Sequence, residues 1–240
     1  MPVWAYLMAI PIFGVLILAH EAGHYLGARA GGIGVSEFAI GFGPRLLQFD
    51  WRGTTWSLRL LPLGGYVRWH EEGPASFSQA PRWARAVALF SGPVANVLLA
   101  MVMLTALLAA LKGYGWQALV AGPQVTLVMI LGWVQGLVGL LQGEGLADLS
   151  GPVGIAQATA QFVTLGLEQA LLFTAFLSLN IALFNLLPIP ALDGGRLLLV
   201  GLESIRRRPL DPQVEGLLHA GGFLLLMLLL VFTAVKDFFV

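Results

Sequence analysis

Long apolar stretches alternate with short polar ones along this chain. Four of them, about 3–28, 85–111, 168–190 and 213–236, reach the ~20 residues that a helix needs to cross a bilayer, the third with polar inserts ("LEQALLFTAFLSLNIALFNLLPI"). A fifth run, about 118–142 ("ALVAGPQVTLVMILGWVQGLVGLLQ"), is interrupted by Gly122-Pro123, Gln124, Gln135 and three further glycines. Between the first two runs the period changes. In "RLLQFDWRGTTWSLRLLPLGGYV", Thr54, Trp56, Leu58 and Leu60 fall on one face and Thr55, Ser57 and Arg59 on the other. "DWRG" supplies a turn between two alternating runs, which predicts a β-hairpin over about 38–68. Its aromatic content predicts contact with the membrane, because strand edges need cover or a partner.

Composition agrees with the spans. Of 240 residues, 58% are hydrophobic and 11% charged, where a soluble domain carries ~25% charge. Mean hydropathy is +0.82. Formal net charge is zero, so nothing points to a nucleic-acid partner, and the absence of cysteine excludes disulfides and thiolate metal ligands. The N-terminal run lacks a basic lead-in, so no cleaved signal peptide is expected.

The arginines suggest how the chain is threaded. Segment 29–85 carries seven, segment 196–208 carries four, and 113–195 has neither Lys nor Arg. Cytoplasmic loops hold the Lys/Arg excess. Both basic segments therefore belong on the cytoplasmic side, separated by an even number of crossings. Counting 85–111 and 168–190 satisfies this, and counting 118–142 as well does not. The expectation is an all-α polytopic membrane protein with four transmembrane helices and both termini outside. A membrane-associated β-hairpin or sheet lies on the cytoplasmic side, and the 118–142 helix lies on the outer interface.

The chemistry sits at the end of the first run. "HEAGH" (20–24) places His20 and His24 one helical turn apart on one face, a spacing from which one metal ion can reach both rings. An ionisable residue inside a membrane costs ~2.5–3.5 kcal/mol on insertion scales, and a divalent cation compensates for three of them together. Glu21, beside the metal, is placed to take a proton from water. A third ligand must come from elsewhere. His70, beside Glu71 and Glu72, has the setting of a solvated loop residue, and His219 that of a helix-end residue. Asp193, in "NLLPIPALDGG", is the better candidate. It follows a span broken by Pro188 and Pro190, is the only carboxylate between Glu168 and Glu203, and falls on the same side as His24.

HEAGH in the first span together with "NLLPIPALDGG" (185–195) resembles the site-2 proteases, the zinc intramembrane metalloproteases. "FAIGFGPRL", "LPLGGYVRW", "SGPVAN" and "SGPVGIA" extend the likeness over most of the chain, in the order found in the bacterial branch that processes anti-sigma factors. The resemblance implies His20, His24 and Asp193 on Zn2+, with Glu21 as general base. Asn185 then holds the substrate backbone or the oxyanion. The hairpin, through Thr54, Thr55, Trp56 and Ser57, becomes a platform that pairs with an extended substrate. It also implies a bacterial inner-membrane protein whose site opens to the cytoplasm and whose partners are the lipid bilayer and single-span membrane protein substrates, such as anti-sigma factors or signal-peptide remnants. One departure stands out. That branch carries PDZ domains between its second and third spans. Here only about 55 residues separate them, fewer than the roughly 80–100 of such a domain. A membrane metal transporter using the same ligands is the rival reading. It would need neither Glu21 as a base nor a strand platform.

Overall fold

The computed structural model describes residues 1–110, 113–145 and 150–239; residue 111, the expected last residue of the second span, lies outside them. The chain runs through helices α1 (Val3–Leu7) and α2 (Ala9–Ala30), strands β1 (Val35–Trp51) and β2 (Thr54–Trp69), and helix α3 (Arg82–Ala110). It continues through α4 (Ala118–Leu141), α5 (Pro152–Thr164), α6 (Leu167–Asn185), α7 (Asp193–Arg206) and α8 (Pro212–Phe239). Among the described residues, five helical stretches are long and apolar enough to cross a membrane: Val3–Ala30, Arg82–Ala110, Gly115–Leu141, Leu167–Asn185 and Gln213–Asp237. The 118–142 run therefore forms a helix as apolar as a span. The third expected span stops at Asn185 rather than 190. Pro188 and Pro190 follow, and neither can donate a helical N–H.

Two compact units form. The first comprises Met1–Ala9, Val97–Asn180 and Leu224–Val240. Its core sets Ala100 and Leu104 of α3 against Ala175 and Leu179 of α6, with Val125, Met129 and Ile130 of α4 packed on them. Gly122 lets α4 lie directly on Thr105. The Asp237 carboxylate accepts the Gly151 and Gly154 amides at 3.0 and 2.7 Å, capping the N-terminus of α5.

The second unit comprises Ile10–Asn96 and Ile181–Phe223. Gly23 and Gly27 of α2 face Ser91 of α3, where a Cβ on either glycine would overlap it. This small-xxx-small spacing is a common way for two membrane helices to approach closely. A cluster of Ala28, Ile33, Val35, Ala84 and Ala88 fills the space below, flanked by Tyr25, Val67, Trp69 and Phe77. Arg85 at the start of α3 is paired with the buried Glu203 of α7 at 2.6 Å.

β1 and β2 pair antiparallel through a turn in which Arg52 and Gly53 both have positive φ (52° and 76°), the signature of a two-residue primed hairpin. The pairing then doubles. β1 bends at Gly41 and Gly43, both at positive φ (89° and 84°), and a side chain on Gly41 would meet the Leu61 carbonyl. As a result Phe38 has Val67 opposite on one side and Trp56 on the other, and Ala39 likewise has Tyr66 and Ser57. Residues 55–58 also pair with 47–50, so they are interior to the sheet. The segment expected to pair with substrate is thus not at an edge of the sheet. Among the described residues, the edges left open are those of 45–51 and 65–69.

Inside the sheet lies Glu37, 3% exposed. It accepts hydrogen bonds from Arg59 at 2.7 Å, Ser57 at 3.0 Å and Arg45 at 3.1 Å. Burial alone would raise its carboxyl pKa, but the hydrogen bonds from Arg59, Ser57 and Tyr66 hold it at about 2.

Candidate metal centre

His20 and His24 come from one face of α2, as their spacing dictates. Both are buried, at 7% and 6% exposure. Asp193, the first residue of α7, reaches them from the other part of the same unit. Its Oδ2 lies 3.1 Å from His20 Nε2 and 3.1 Å from His24 Nε2, and the two ring nitrogens are 3.1 Å apart. Among the described residues, this is the cluster of His, Asp and Glu side chains able to hold a metal, with its ligand atoms within 4.8 Å of one another.

Protonation fits a cation. The Ala88 carbonyl, 2.8 Å from His24 Nδ1, can only accept, so Nδ1 carries the proton. In the neutral ring, His24 Nε2 is then a lone-pair nitrogen aimed at a second ring nitrogen and a carboxylate oxygen. With His20 Nε2 unprotonated as well, three acceptors converge out of water, and a cation between them would satisfy all three. Two imidazoles and a carboxylate with a further position open to water make up a common donor set of catalytic zinc. These residues fit the ion.

The helix around them is shaped for the rings. A Cβ on Gly92 of α3 would overlap the His24 imidazole, so the glycine of "SGPVAN" leaves the space that the ring fills. The glycines that follow Asp193 have a parallel role. Gly194 sits on the Leu186 and Leu187 carbonyls and Gly195 on the Ile189 carbonyl, which seats the first turn of α7 directly on the loop before it.

Glu21 lies next to this cluster, and strand β2 passes over it. Gly65 has no side chain, and a Cβ there would be 2.9 Å from Glu21 Cγ and 3.0 Å from Ile17 Cγ2. The Val67 backbone amide faces the Glu21 carboxylate. A base beside three converging ligands and under a strand edge is suited to activating water against an extended chain.

The other expected site residues are placed as follows. The Asn185 amide donates to the Ile181 carbonyl of its own helix at 2.9 Å, and Asn185 is not among the grouped ligands His20, His24 and Asp193. Thr54 is buried and donates to the Val35 carbonyl at 2.9 Å. Thr55 donates to Asp50 at 2.6 Å, Trp56 stacks on Phe38 and Phe49, and Ser57 donates to Glu37. These four side chains are committed to the sheet itself. His70 and His219 take no part in the cluster. Sequence reasoning missed Ala88, Gly92, Gly65 and Val67. The glycine spacing at 23 and 27 was a visible sign of a tight helix crossing, whereas a backbone carbonyl leaves no sequence signal.

The chain resembles named proteins over nearly its whole length. Atu1380 of Agrobacterium fabrum is 27% identical, covering 95% of this chain and 94% of that protein. The zinc metalloprotease RasP of Shouchella clausii is 25% identical, covering 95% and 97%. The zinc metalloprotease RasP of Oceanobacillus iheyensis is 50% identical over 105 residues, which take in 43% of this chain and 25% of that protein. The two full-length alignments run over 353 and 405 positions against 240 residues here, so these relatives contain stretches that this chain lacks. The profile of peptidase family M50 matches residues 8–229. With two histidines, an aspartate and an adjacent glutamate gathered among apolar helices, the chain belongs to peptidase family M50, the site-2 proteases, and is a zinc metalloprotease of that type.

Proposed function

We propose that the protein is an intramembrane endopeptidase that cuts single-span membrane proteins, with anti-sigma factors and signal-peptide remnants as the substrate class. The observation that carries this reading is the position of Glu21, between the metal ligands and the backbone of strand residues 65–67. A helical substrate hides its carbonyls in its own hydrogen bonds, so it must be drawn out before hydrolysis. The open edge of 65–69 offers unpaired backbone groups to such a segment by strand addition. Thr54, Thr55, Trp56 and Ser57 support that edge from inside the sheet. The side-chain oxygen of Asn185, whose NH2 is already engaged, is left for a substrate amide.

His20, His24 and Asp193 would hold the zinc, which supplies Lewis acidity to a water and to the scissile carbonyl. Glu21 takes the proton released as water attacks and passes it to the leaving amine. The Ala88 carbonyl keeps His24 in the tautomer whose lone pair faces the centre.

In the membrane we place both basic segments, 29–85 and 196–208, on the cytoplasmic side of a bacterial inner membrane, with the site opening there and both termini outside. Four crossings and an interfacial α4 follow. The meeting of Asp193 with His24 supports an even number of crossings between them.

Glu21→Gln is the test. Co-expressed with a single-span anti-sigma factor, the variant should bind about one zinc per chain and leave the substrate uncut, while the wild type cleaves it. Cleavage by Glu21→Gln at the wild-type rate removes the proteolytic mechanism. Wild-type zinc content with no cleavage by either protein points to a different substrate class.

A further inference from the structure

The metal ligand Asp193 begins a helix, and its position is set by the turn before it. Leu192 N–H donates to the Ile189 carbonyl at 3.1 Å, closing a turn with Pro190 and Ala191 at its centre. Ala191 has φ 82°. A turn with Pro second and a positive φ third is type II, whose third position favours Gly because a Cβ is strained there. Alanine occupies it here, so something outside the turn must hold the backbone in that conformation. The turn leaves the Ala191 amide unused, and a buried amide needs an acceptor.

That acceptor is His219 of α8, whose Nδ1 lies 3.1 Å from the Ala191 nitrogen. The amide can only donate, so this ring nitrogen is unprotonated and the proton sits on Nε2, 3.6 Å from Glu215 Oε1. At that distance the polar Nε2–H faces the carboxylate but is too far from it for a hydrogen bond. It still favours the tautomer that the amide requires. One turn along the same face of α8, Gly222 lies against the Pro190 carbonyl, where a Cβ could not fit. The turn is thus held on α8 at two consecutive residues, while Gly194 and Gly195 seat the other side of the loop on α7.

The geometry points to His219 as a positioning residue for the metal site. By accepting the Ala191 amide it fixes the strained turn that aims Asp193 at His20 and His24. It does not touch metal or substrate. The inference rests on Asp193 being the third ligand.

Three substitutions separate this role from a general contribution to folding. The Oδ1 of asparagine can stand near the position of Nδ1, glutamine carries its oxygen further out, near Nε2, and leucine has no acceptor. Purified full-length His219→Asn, His219→Gln and His219→Leu are stripped of metal and titrated with zinc against a chromophoric chelator. Their cobalt-substituted absorption spectra are recorded alongside. The Asn variant should bind close to wild type. Gln and Leu should bind about 10–100-fold more weakly, as when an outer support of a metal ligand is lost, with an altered cobalt spectrum and slower cleavage. Asn and Gln are both polar and of similar bulk, so a purely structural role would weaken them alike, and equal affinities overturn the inference. So does wild-type affinity in the Leu variant. Asp193→Ala is titrated in parallel. If it keeps wild-type affinity, the ligand assignment fails and the inference with it. If it loses metal while every His219 variant keeps it, only the inference fails.

Discussion

The two halves of the metal site are built in opposite ways. His20 and His24 sit inside a continuous helix, and the helical period alone brings their rings to one face. Asp193 sits after a broken helix, in a loop with two prolines and a strained alanine, and reaches the site only because α7 and α8 grip the loop. Local ligands come almost free with the helix, whereas a distant ligand needs tertiary supports of its own. The contrast extends to side-chain anchoring. His24 is fixed by the Ala88 carbonyl, while His20 Nδ1 is buried with no hydrogen-bond partner among the described residues. The His20 ring is therefore held from its Nε2 side, by Asp193 and His24 at 3.1 Å.

The largest effect expected is on metal. His24→Ala and Asp193→Ala should each reduce zinc, measured by elemental analysis after desalting, from about one per chain to background, and abolish cleavage. The metal-free proteins should differ. His24→Ala empties the space that the buried ring fills, a loss of roughly 2–5 kcal/mol, while the Ala88 carbonyl keeps the Ser91 hydroxyl as donor at 3.0 Å. Asp193→Ala removes a carboxylate that faces both rings at 3.1 Å and the nearby Arg196, but the loop stays gripped from both sides. Thermal unfolding in chelator should therefore show His24→Ala well below wild type and Asp193→Ala close to it. The reverse order would mean that the loop, not α2, is the weaker scaffold.

Next comes the space for the ring. Gly92→Ala places a methyl group in the His24 imidazole, and overpacking of this kind costs about 1–3 kcal/mol. Displacing the ring should also weaken zinc binding roughly 10–100-fold. Gly201→Ala on α7 is the matched control. Nothing lies within 4 Å of a Cβ there, and Ala for Gly in an exposed helix should gain about 0.5–1 kcal/mol. Equal behaviour of the two variants in chelator titration and thermal unfolding would show that the α2–α3 crossing has slack.

What the sequence revealed follows the same division. The HEAGH pair needed only a period of 3.6, and the hairpin turn only the Arg52-Gly53 pair, so both were legible. Asp193 was legible because a lone carboxylate after a proline break has few other reasons to be there. The doubled pairing of the sheet was not. A period-two pattern says which face a residue takes but not how many partners its strand has, and the bend at Gly41 and Gly43 that brings residues 55–58 inside depends on backbone angles. His219 was visible only as a histidine near the start of a helix, because its partner is a backbone amide 28 residues away.

The smallest effect concerns Glu37, whose partners Arg59, Ser57 and Arg45 all lie within the sheet, so it should be separable from the metal ligands. Glu37→Gln keeps the size of the side chain and most of its hydrogen bonds but removes the charge that Arg59 and Arg45 share, so a loss of about 2 kcal/mol is expected. The sign of the pH dependence follows from the direction of the shift. The Glu37 carboxyl is held at about 2 in the folded protein, below the ~4.3 of an unfolded glutamate. Its contribution is therefore full above pH ~4.3 and is lost as pH falls towards 2. In chelator, so that histidine protonation does not act through zinc, the unfolding temperatures of wild type and Glu37→Gln should differ steadily from pH 7 to pH 5 and converge below pH ~4. Zinc content at pH 7 should be the same in both. A difference as large at pH 3 as at pH 7 would mean the carboxylate is not what the arginines hold. A variant that loses zinc at pH 7 would mean the strand over Glu21 and the ligands on α2 do not vary independently.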